Sequence, residues 1–374
     1  MRKIKLTAIA LSLLLLSCTP SNKTNTNAIK IKVTQQELKF SDIFSSYERI
    51  EFKGKMMADI INIIKVAKGY VVQTSNRAPE LLLFDNGGQF ISSIVNIGRG
   101  RDEVLNIMDI YYDSKAEQIE ILADFGMKVL IYSLNNSEIV DKFDLPQSIF
   151  VARSLSKLDD DRYVFYKDDA YDDSENYKVL VYNRASDTIE QKFIHFINIE
   201  SISFSQSNNL YKNGDDVIFY EAFLDKGYRI SRDTITEYFT FDKGSRAVPE
   251  NQLNREHGDL MDFVDMCTAN NYIYGHINCY EYNDMIFSLF RHNEESYINI
   301  ANLNKCTSES YTSINDDLVS GEAVNLPAYF VIASDEQGLY LSQDLKYQIK
   351  TAHQVKPHSN FSQFLNTSAK IPRS

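Results

Sequence analysis

Short stretches of alternating apolar and polar residues recur from about residue 56 to residue 344, and they come in groups of four. Residues 60–67, 70–75, 81–85 and 90–96 make the first group, and residues 108–114, 118–125, 128–134 and 139–145 the second. Alternation over five to eight residues, broken by Gly, Asn, Asp and Ser, is the signature of strands that bury one face. The third stretch of each group ends on an aromatic-then-polar pair just before a turn. The pairs are Phe84-Asp85, Tyr132-Ser133, Tyr182-Asn183 and Phe241-Asp242, with Ala301-Asn302 as a degenerate fifth, separated by 48, 50, 59 and 60 residues. A four-stranded unit repeating at about 50 residues predicts a β-propeller, each sheet forming one blade. A large sandwich or two stacked β domains would not keep a third-strand landmark at near-constant spacing.

Five landmarks plus a last group at 329–333 and 338–342 give six blades. That last group is short of strands, whereas Tyr47-Glu48-Arg49-Ile50-Glu51-Phe52 forms a strand with no partner of its own. An open ring would leave two unpaired sheet edges, so the N-terminal strand is expected to complete the last blade. The predicted fold is therefore all-β: a six-bladed β-propeller of four-stranded antiparallel blades over residues 40–348, closed by that strand. Composition agrees, with 23 Tyr and 22 Phe against 7 Pro, residues suited to pleated, half-buried surfaces. Residues 349–374 are expected to form a C-terminal tail.

The N-terminus reads as an address. Arg2, Lys3 and Lys5 precede the apolar run Leu6 to Leu16, the pattern of a secretory signal and too short to span a bilayer as a stable helix. Leu15-Leu16-Ser17-Cys18 resembles the lipobox of bacterial lipoproteins, which implies a signal peptide over 1–17 and an acylated Cys18. Each buried methylene of an acyl chain contributes about 0.8 kcal/mol, so a multiply acylated cysteine anchors durably. Residues 18–39 follow as a flexible tether, polar and rich in Asn, Thr and Ser through Lys30.

A formal charge of −12 disfavours polyanionic partners, and no basic run follows the N-terminus, so nucleic acid is not an expected ligand. Gly98 and Gly100 raise the question of a phosphate loop, but the dinucleotide pattern needs a third glycine where the chain has Glu103. A sharp backbone step between packed blades is the expected role.

Other candidate chemistry is sparse. Beyond Cys18, an odd set of three cysteines (Cys267, Cys279 and Cys306) allows at most one disulfide and lacks the close pairing of a structural zinc site. The acidic run Asp168 to Glu175 fails the glycine and glutamate tests of a calcium loop and is expected as a solvated hairpin tip, like Asp159-Asp160-Asp161. His195 is expected as a packed or exposed strand residue. No nucleophile elbow is present. Channel-facing candidates are His276 and His292 in the fifth blade, with Asp109, Asp262 and Asp265 on segments taken as first strands, "MDIYYDS" and "MDFVDMC".

The segment "LLLFDNGGQFISSIVNIGRGRDEV" resembles the six-bladed β-propeller lipoproteins of Bacteroidetes, which are NHL- and TolB-like in shape. Phe84, Asp85, Gly88, Phe90, Ile97, Gly98, Gly100 and Glu103 match that family's turn and step, while Arg101 and Asp102 depart from it. "IYGHINCYEYNDMIFSLF" and "NLPAYFVIASDEQGLYLSQD" resemble its fifth and sixth blades. The resemblance, with the lipobox, implies a membrane-anchored, non-catalytic binding or scaffold protein of the cell envelope, its partner a glycan, peptide or protein, with no cofactor. The stretch after Cys18 carries no acidic residue, which resembles outer-membrane lipoproteins that face the periplasm. The alternative is a lactonase-like hydrolase or lyase holding calcium or zinc in the channel.

Overall fold

The computed structural model describes residues 27–369 other than 35, 45–46, 76–77, 101, 169–176, 196–208, 223, 254, 256, 318–321, 326–328, 335–337, 344–347 and 352–363. Cys18 and the signal segment lie outside the described residues, as does the acidic run apart from Asp168, which pairs with Arg153 at 2.7 Å.

The chain is all-β, with a few short helices. Sheet one runs Ile60–Val66, Gly69–Thr74, Leu81–Asp85 and Phe90–Ile97; sheet two runs Ile107–Asp113, Gln118–Ala123, Lys128–Ser133 and Glu138–Asp144. Sheet three comprises Ala152–Lys157, Arg162–Lys167, Tyr177–Asn183 and Thr188–His195. Sheet four comprises Leu210–Asn213, Asp216–Tyr220, Lys226–Ile230 and Ile235–Asp242, and sheet five Ile273–Tyr282, Met285–His292, Glu295–Asn302 and Thr307–Tyr311. Within each sheet consecutive strands pair antiparallel. Sheet six takes Tyr329–Ser334, Leu339–Gln343 and Gln348–Thr351, then Tyr47–Phe52 and Phe364–Ala369. Tyr47–Phe52 pairs parallel with Phe364–Ala369 and meets Gln348–Thr351 at Glu48–Thr351. Residues 349–374, expected as a tail, thus supply strand Phe364–Ala369.

Apolar layers lie between consecutive sheets. Val71 and Leu83 pack with Ile107 and Ile121, Leu122 and Val129 with Leu155 and Phe165, and Val164 and Val179 with Val217 and Phe219. Tyr220 and Phe239 then pack with Ile286 and Phe290, Met285 with Leu339, and Ala333 and Tyr340 with Ile63 and Tyr70. Each fully buried side chain of this kind contributes about 1.5–3 kcal/mol of transfer free energy.

Bulges recur at fixed places. In sheets one, two and three the pairing shifts near the start of the first strand, skipping Ile61, Met108 and Arg153, and in sheet six it shifts past the middle, skipping Ile332. A second shift lies between third and fourth strands, opposite Phe84, Tyr132 and Tyr182. It explains the aromatic landmark, because a bulge bends and twists the ladder and the ring covers the bend. Ile91 and Val140, the skipped residues, are accordingly 49% and 42% exposed. In sheet four the residue at this place is Tyr228, not Phe241, which sits at the end of the fourth strand. Tyr228 follows Tyr182 by 46 residues, so the true repeat is tighter than the landmark at Phe241 suggested.

Two segments differ from expectation. Residues 18–39 are not wholly a tether: Asn27–Lys30 pairs parallel with Ile235–Asp242 and touches Thr307, joining sheets four and five into one nine-stranded sheet. Glu37–Lys39 pairs with Ser313–Asp316. The cause is the alternation Ile29, Ile31, with both side chains buried. Residues 260–269 form a helix rather than a first strand. Asp259 caps it by accepting the Asp262 N–H at 3.0 Å, and Phe263 and Cys267 bury one face at helical spacing.

At the Asp85–Gly88 turn, Asp85 Oδ1 accepts the Gly87 and Gln89 N–H groups at 2.9 and 2.8 Å. Gly88 has φ +79°, and a Cβ there would lie 2.1 Å from the Glu51 carbonyl oxygen. Only glycine allows the turn to lie against the Tyr47–Phe52 strand so closely.

Candidate functional site

The first strands of all six sheets line one cavity of about 1270 Å³. Their apolar residues turn toward the layers between sheets: Ile60, Ile63 and Val66 in sheet one and Ile107 and Ile110 in sheet two are buried. The polar residues between them reach the cavity. A charged residue stands last or next to last on the first strand of five sheets: Lys65, Asp113, Lys157, Lys212 and Glu281.

One wall, from sheets two to four, is an ionic weld. Lys157 Nζ donates to Glu120 Oε1 at 2.7 Å and to Asp113 Oδ2 at 3.2 Å. Burial works against its charge, but the two carboxylates hold the ammonium above its usual range. Lys212 Nζ donates to the carbonyls of Lys157 at 2.7 Å and Asp215 at 2.9 Å. Burial pulls its ammonium below the usual range.

Asp109 stands on this wall. Its Oδ2 accepts the Leu155 N–H at 3.0 Å and its Oδ1 the Ile110 N–H at 2.9 Å. Burial pushes its pKa up to about 7 against the lowering effect of those donors. The carboxyl thus fastens the first strand of sheet two to that of sheet three.

The adjoining wall, from sheets four and five, centres on Glu281. Its Oε1 accepts from Tyr238 OH at 2.8 Å and Asn213 Nδ2 at 2.9 Å, and its Oε2 from Tyr211 OH at 2.9 Å. Burial raises the carboxyl above its usual range despite these donors. Arg229 is nearby but engaged: Nη1 donates to Asp216 at 2.9 Å and the guanidinium stacks 4.2 Å over the Tyr238 ring.

The remaining sequence candidates lie elsewhere. His276 is fully buried between sheets four and five, its Nε2 2.7 Å from Ser288 Oγ and its ring stacked on Phe241 at 4.0 Å. Burial drives its pKa well below the usual value, so it is a neutral core residue. His292 bonds Asn271 Oδ1 at 2.9 Å, outside the cavity wall. Asp262 and Asp265 are exposed on the helix Leu260–Ala269, because that segment is not a strand. Among the described residues, no three His, Cys, Asp or Glu side chains converge as a metal site. None of Cys267, Cys279 and Cys306 forms a disulfide among the described residues. His195 is an exposed strand residue against Tyr177, as expected.

At Gly98 and Gly100 the loop closes on the protein's own anion: the Gly100 N–H donates to Glu103 Oε2 at 2.7 Å. A Cβ on Gly98 would lie 2.0 Å from that oxygen. The glycines therefore make a backbone step with an internal carboxylate.

Sequence inspection missed Glu281, Lys157 and Glu120. For Glu281 and Lys157 the signal is the charged residue at the exit of the first strand in five sheets, which becomes visible only when the strands are aligned; Glu120, on a second strand, carries no such signal.

Among the described residues no helix is long and apolar enough to cross a membrane. The fold is similar to that of a protein from Bacteroides fragilis described as exported, with a TM-score of 0.68 and 17% identity over 84% of this chain and 88% of the other. A member of the DUF4221 family from Bacteroides vulgatus superposes with a TM-score of 0.52 at 9% identity, covering 81% of this chain and 92% of that one. At such identities the likeness concerns the fold alone. No curated protein matches the chain. Residues 26–369 match the family described as domain of unknown function DUF4934, and the chain belongs to that family.

Proposed function

We propose that this is a membrane-anchored, non-catalytic binding or scaffold protein of the bacterial envelope. In this proposal the six sheets close into a propeller of the NHL/TolB-like kind, and the central channel receives a glycan, a peptide or a segment of a protein. The observation that carries it is the single cavity to which all six first strands contribute. Apolar layers between each sheet and the next, including sheets six and one, support closure. The polar groups of the cavity wall are tied to one another and to backbone groups, as in a preformed binding surface. The proposed anchor is an acylated Cys18, and the proposed location is the outer membrane facing the periplasm.

The test is an array of envelope glycans and peptides, probed with the full chain and with Ser114→Trp. Ser114 lines the cavity and is exposed, so the indole obstructs the cavity without replacing a core residue. A ligand bound by the parent and lost in Ser114→Trp is the expected outcome. Ligands bound equally by both chains, or none bound by the folded parent, would refute binding in the channel.

A further inference from the structure

We infer that the cavity takes a ligand carrying a primary ammonium or guanidinium group, such as a basic peptide or a polyamine, and that Glu281 receives that group. The inference rests on the proposed use of the cavity as a binding site and names the ligand class for it.

An ionised carboxylate offers about four acceptor positions. Three on Glu281 are filled by neutral donors: Tyr238 and Asn213 on Oε1, and Tyr211 on Oε2. None of the three cancels its charge, and no lysine or arginine ion-pairs with it among the described residues. The adjacent guanidinium of Arg229 makes its close ion pair with Asp216 and reaches Glu281 only through a longer-range attraction that lowers the carboxyl's pKa. On the neighbouring strands Lys157 is engaged by Glu120 and Asp113, and Lys212 by backbone carbonyls. Seven carboxylates against five cationic side chains line the space, so its unmatched charge is negative. A partly desolvated carboxylate is stabilised most by a cation that also donates a hydrogen bond. A neutral sugar hydroxyl would fill the last acceptor position on Oε2 and leave the charge uncompensated. A ligand anion would meet the excess of carboxylates.

Spermidine and trilysine are the probes, titrated calorimetrically at low ionic strength into the full chain in detergent. N-acetylated trilysine is the matched control. Glu281→Gln is expected to weaken both amine probes at least tenfold, whereas Asp102→Asn, an exposed acid outside the cavity, leaves them unchanged. Equal loss in the two variants would mean diffuse attraction to an acidic protein and would overturn the inference. Unaltered binding in Glu281→Gln, or equal binding of the acetylated probe, overturns it too.

Carbodiimide coupling of spermidine to the unmutated chain, mapped by mass spectrometry, covers the case of a Glu281→Gln chain that fails to fold. An adduct at Glu281 is expected; adducts only on exposed carboxylates such as Asp102 count against the site. A glycan lost in Ser114→Trp but indifferent to Glu281→Gln leaves the cavity as a binding site and removes only the amine specificity. Absence of any ligand sensitive to Ser114→Trp removes both.

Discussion

Replacing Lys157 with methionine removes the one ammonium that faces Glu120. The two side chains are 9% and 1% exposed and 2.7 Å apart, with Asp113 3.2 Å from the same nitrogen. Lys157→Met leaves a buried carboxylate without its counter-charge, and breaking a buried pair from one side costs about 3–5 kcal/mol. Unfolding entropy runs at about 2.1 cal/mol/K per residue, or roughly 0.7 kcal/mol/K for a fold of about 340 residues. The thermal midpoint should therefore fall by about 4–7 °C. Glu120→Leu combined with Lys157→Met removes the buried carboxylate with its ammonium and leaves only the less buried Asp113 without that partner, so part of the loss should be recovered. Circular-dichroism melts of the parent, both single variants and the double variant provide the cycle. The drop should persist in 1 M salt, because a buried pair is poorly screened. A single-variant shift below about 1 °C, or additive losses in the double variant, would refute the claim that this pair welds the cavity wall.

Two further outcomes follow from the described contacts. Ile29 is fully buried between sheets four and five on the strand that joins them, so Ile29→Ala should destabilise by about 2–4 kcal/mol; a denaturant midpoint unchanged from the parent would show that this strand is dispensable. Asp109 has its carboxyl raised from 3.8 to about 7 in the fold, so its contribution is fully present below pH 4 and is lost as pH rises through 7. Asp109→Asn, which cannot ionise, should therefore gain stability relative to the parent between pH 4 and pH 8, and parallel melting curves across that range would contradict the assignment.

Much of the strand pattern was legible in the chain. In sheets one and two the observed strands begin and end within one or two residues of the expected ones, because short apolar or alternating runs are bounded by turn-forming Gly, Asn, Asp and Ser. Tyr47–Phe52 was recognisable as a strand in need of partners, and it pairs in sheet six. The failures share a cause in local ambiguity. "MDFVDMC" alternates well enough to pass for a strand, yet its apolar residues also fit a helix, and the Asp259 cap with the packing of Phe263 and Cys267 against Tyr274 decides the matter. Phe241 imitates the aromatic landmark because the fourth strand of sheet four also ends on an aromatic-then-polar pair, and only the register shift at Tyr228 reveals the true equivalent. The polar start of residues 18–39 concealed Ile29 and Ile31, whose burial depends on edges of two distant sheets.

The candidate site was far less readable. Asp109, a candidate in the sequence, lines the cavity, whereas His276, four residues before the wall segment of sheet five, is buried against Phe241 and Phe290 in the layer between sheets. Glu281 lies 68 to 70 residues from the Asn213 and Tyr211 groups that hold it, and Glu120 lies 37 from Lys157. No spacing rule joins groups so separated.

The sequence by itself determined where most of the strands run, that they come in consecutive antiparallel groups of four through the first five sheets, and that one glycine pair steps the backbone instead of holding a phosphate. Those properties are local: a two-residue alternation and a missing Cβ act within a few residues of themselves. Which charges neutralise one another across the cavity, and which carboxylate is left over, was decided only when six sheets brought their first strands together. Electrostatic pairing depends on distance in space and on exclusion of water, and neither is encoded in the order of residues along the chain.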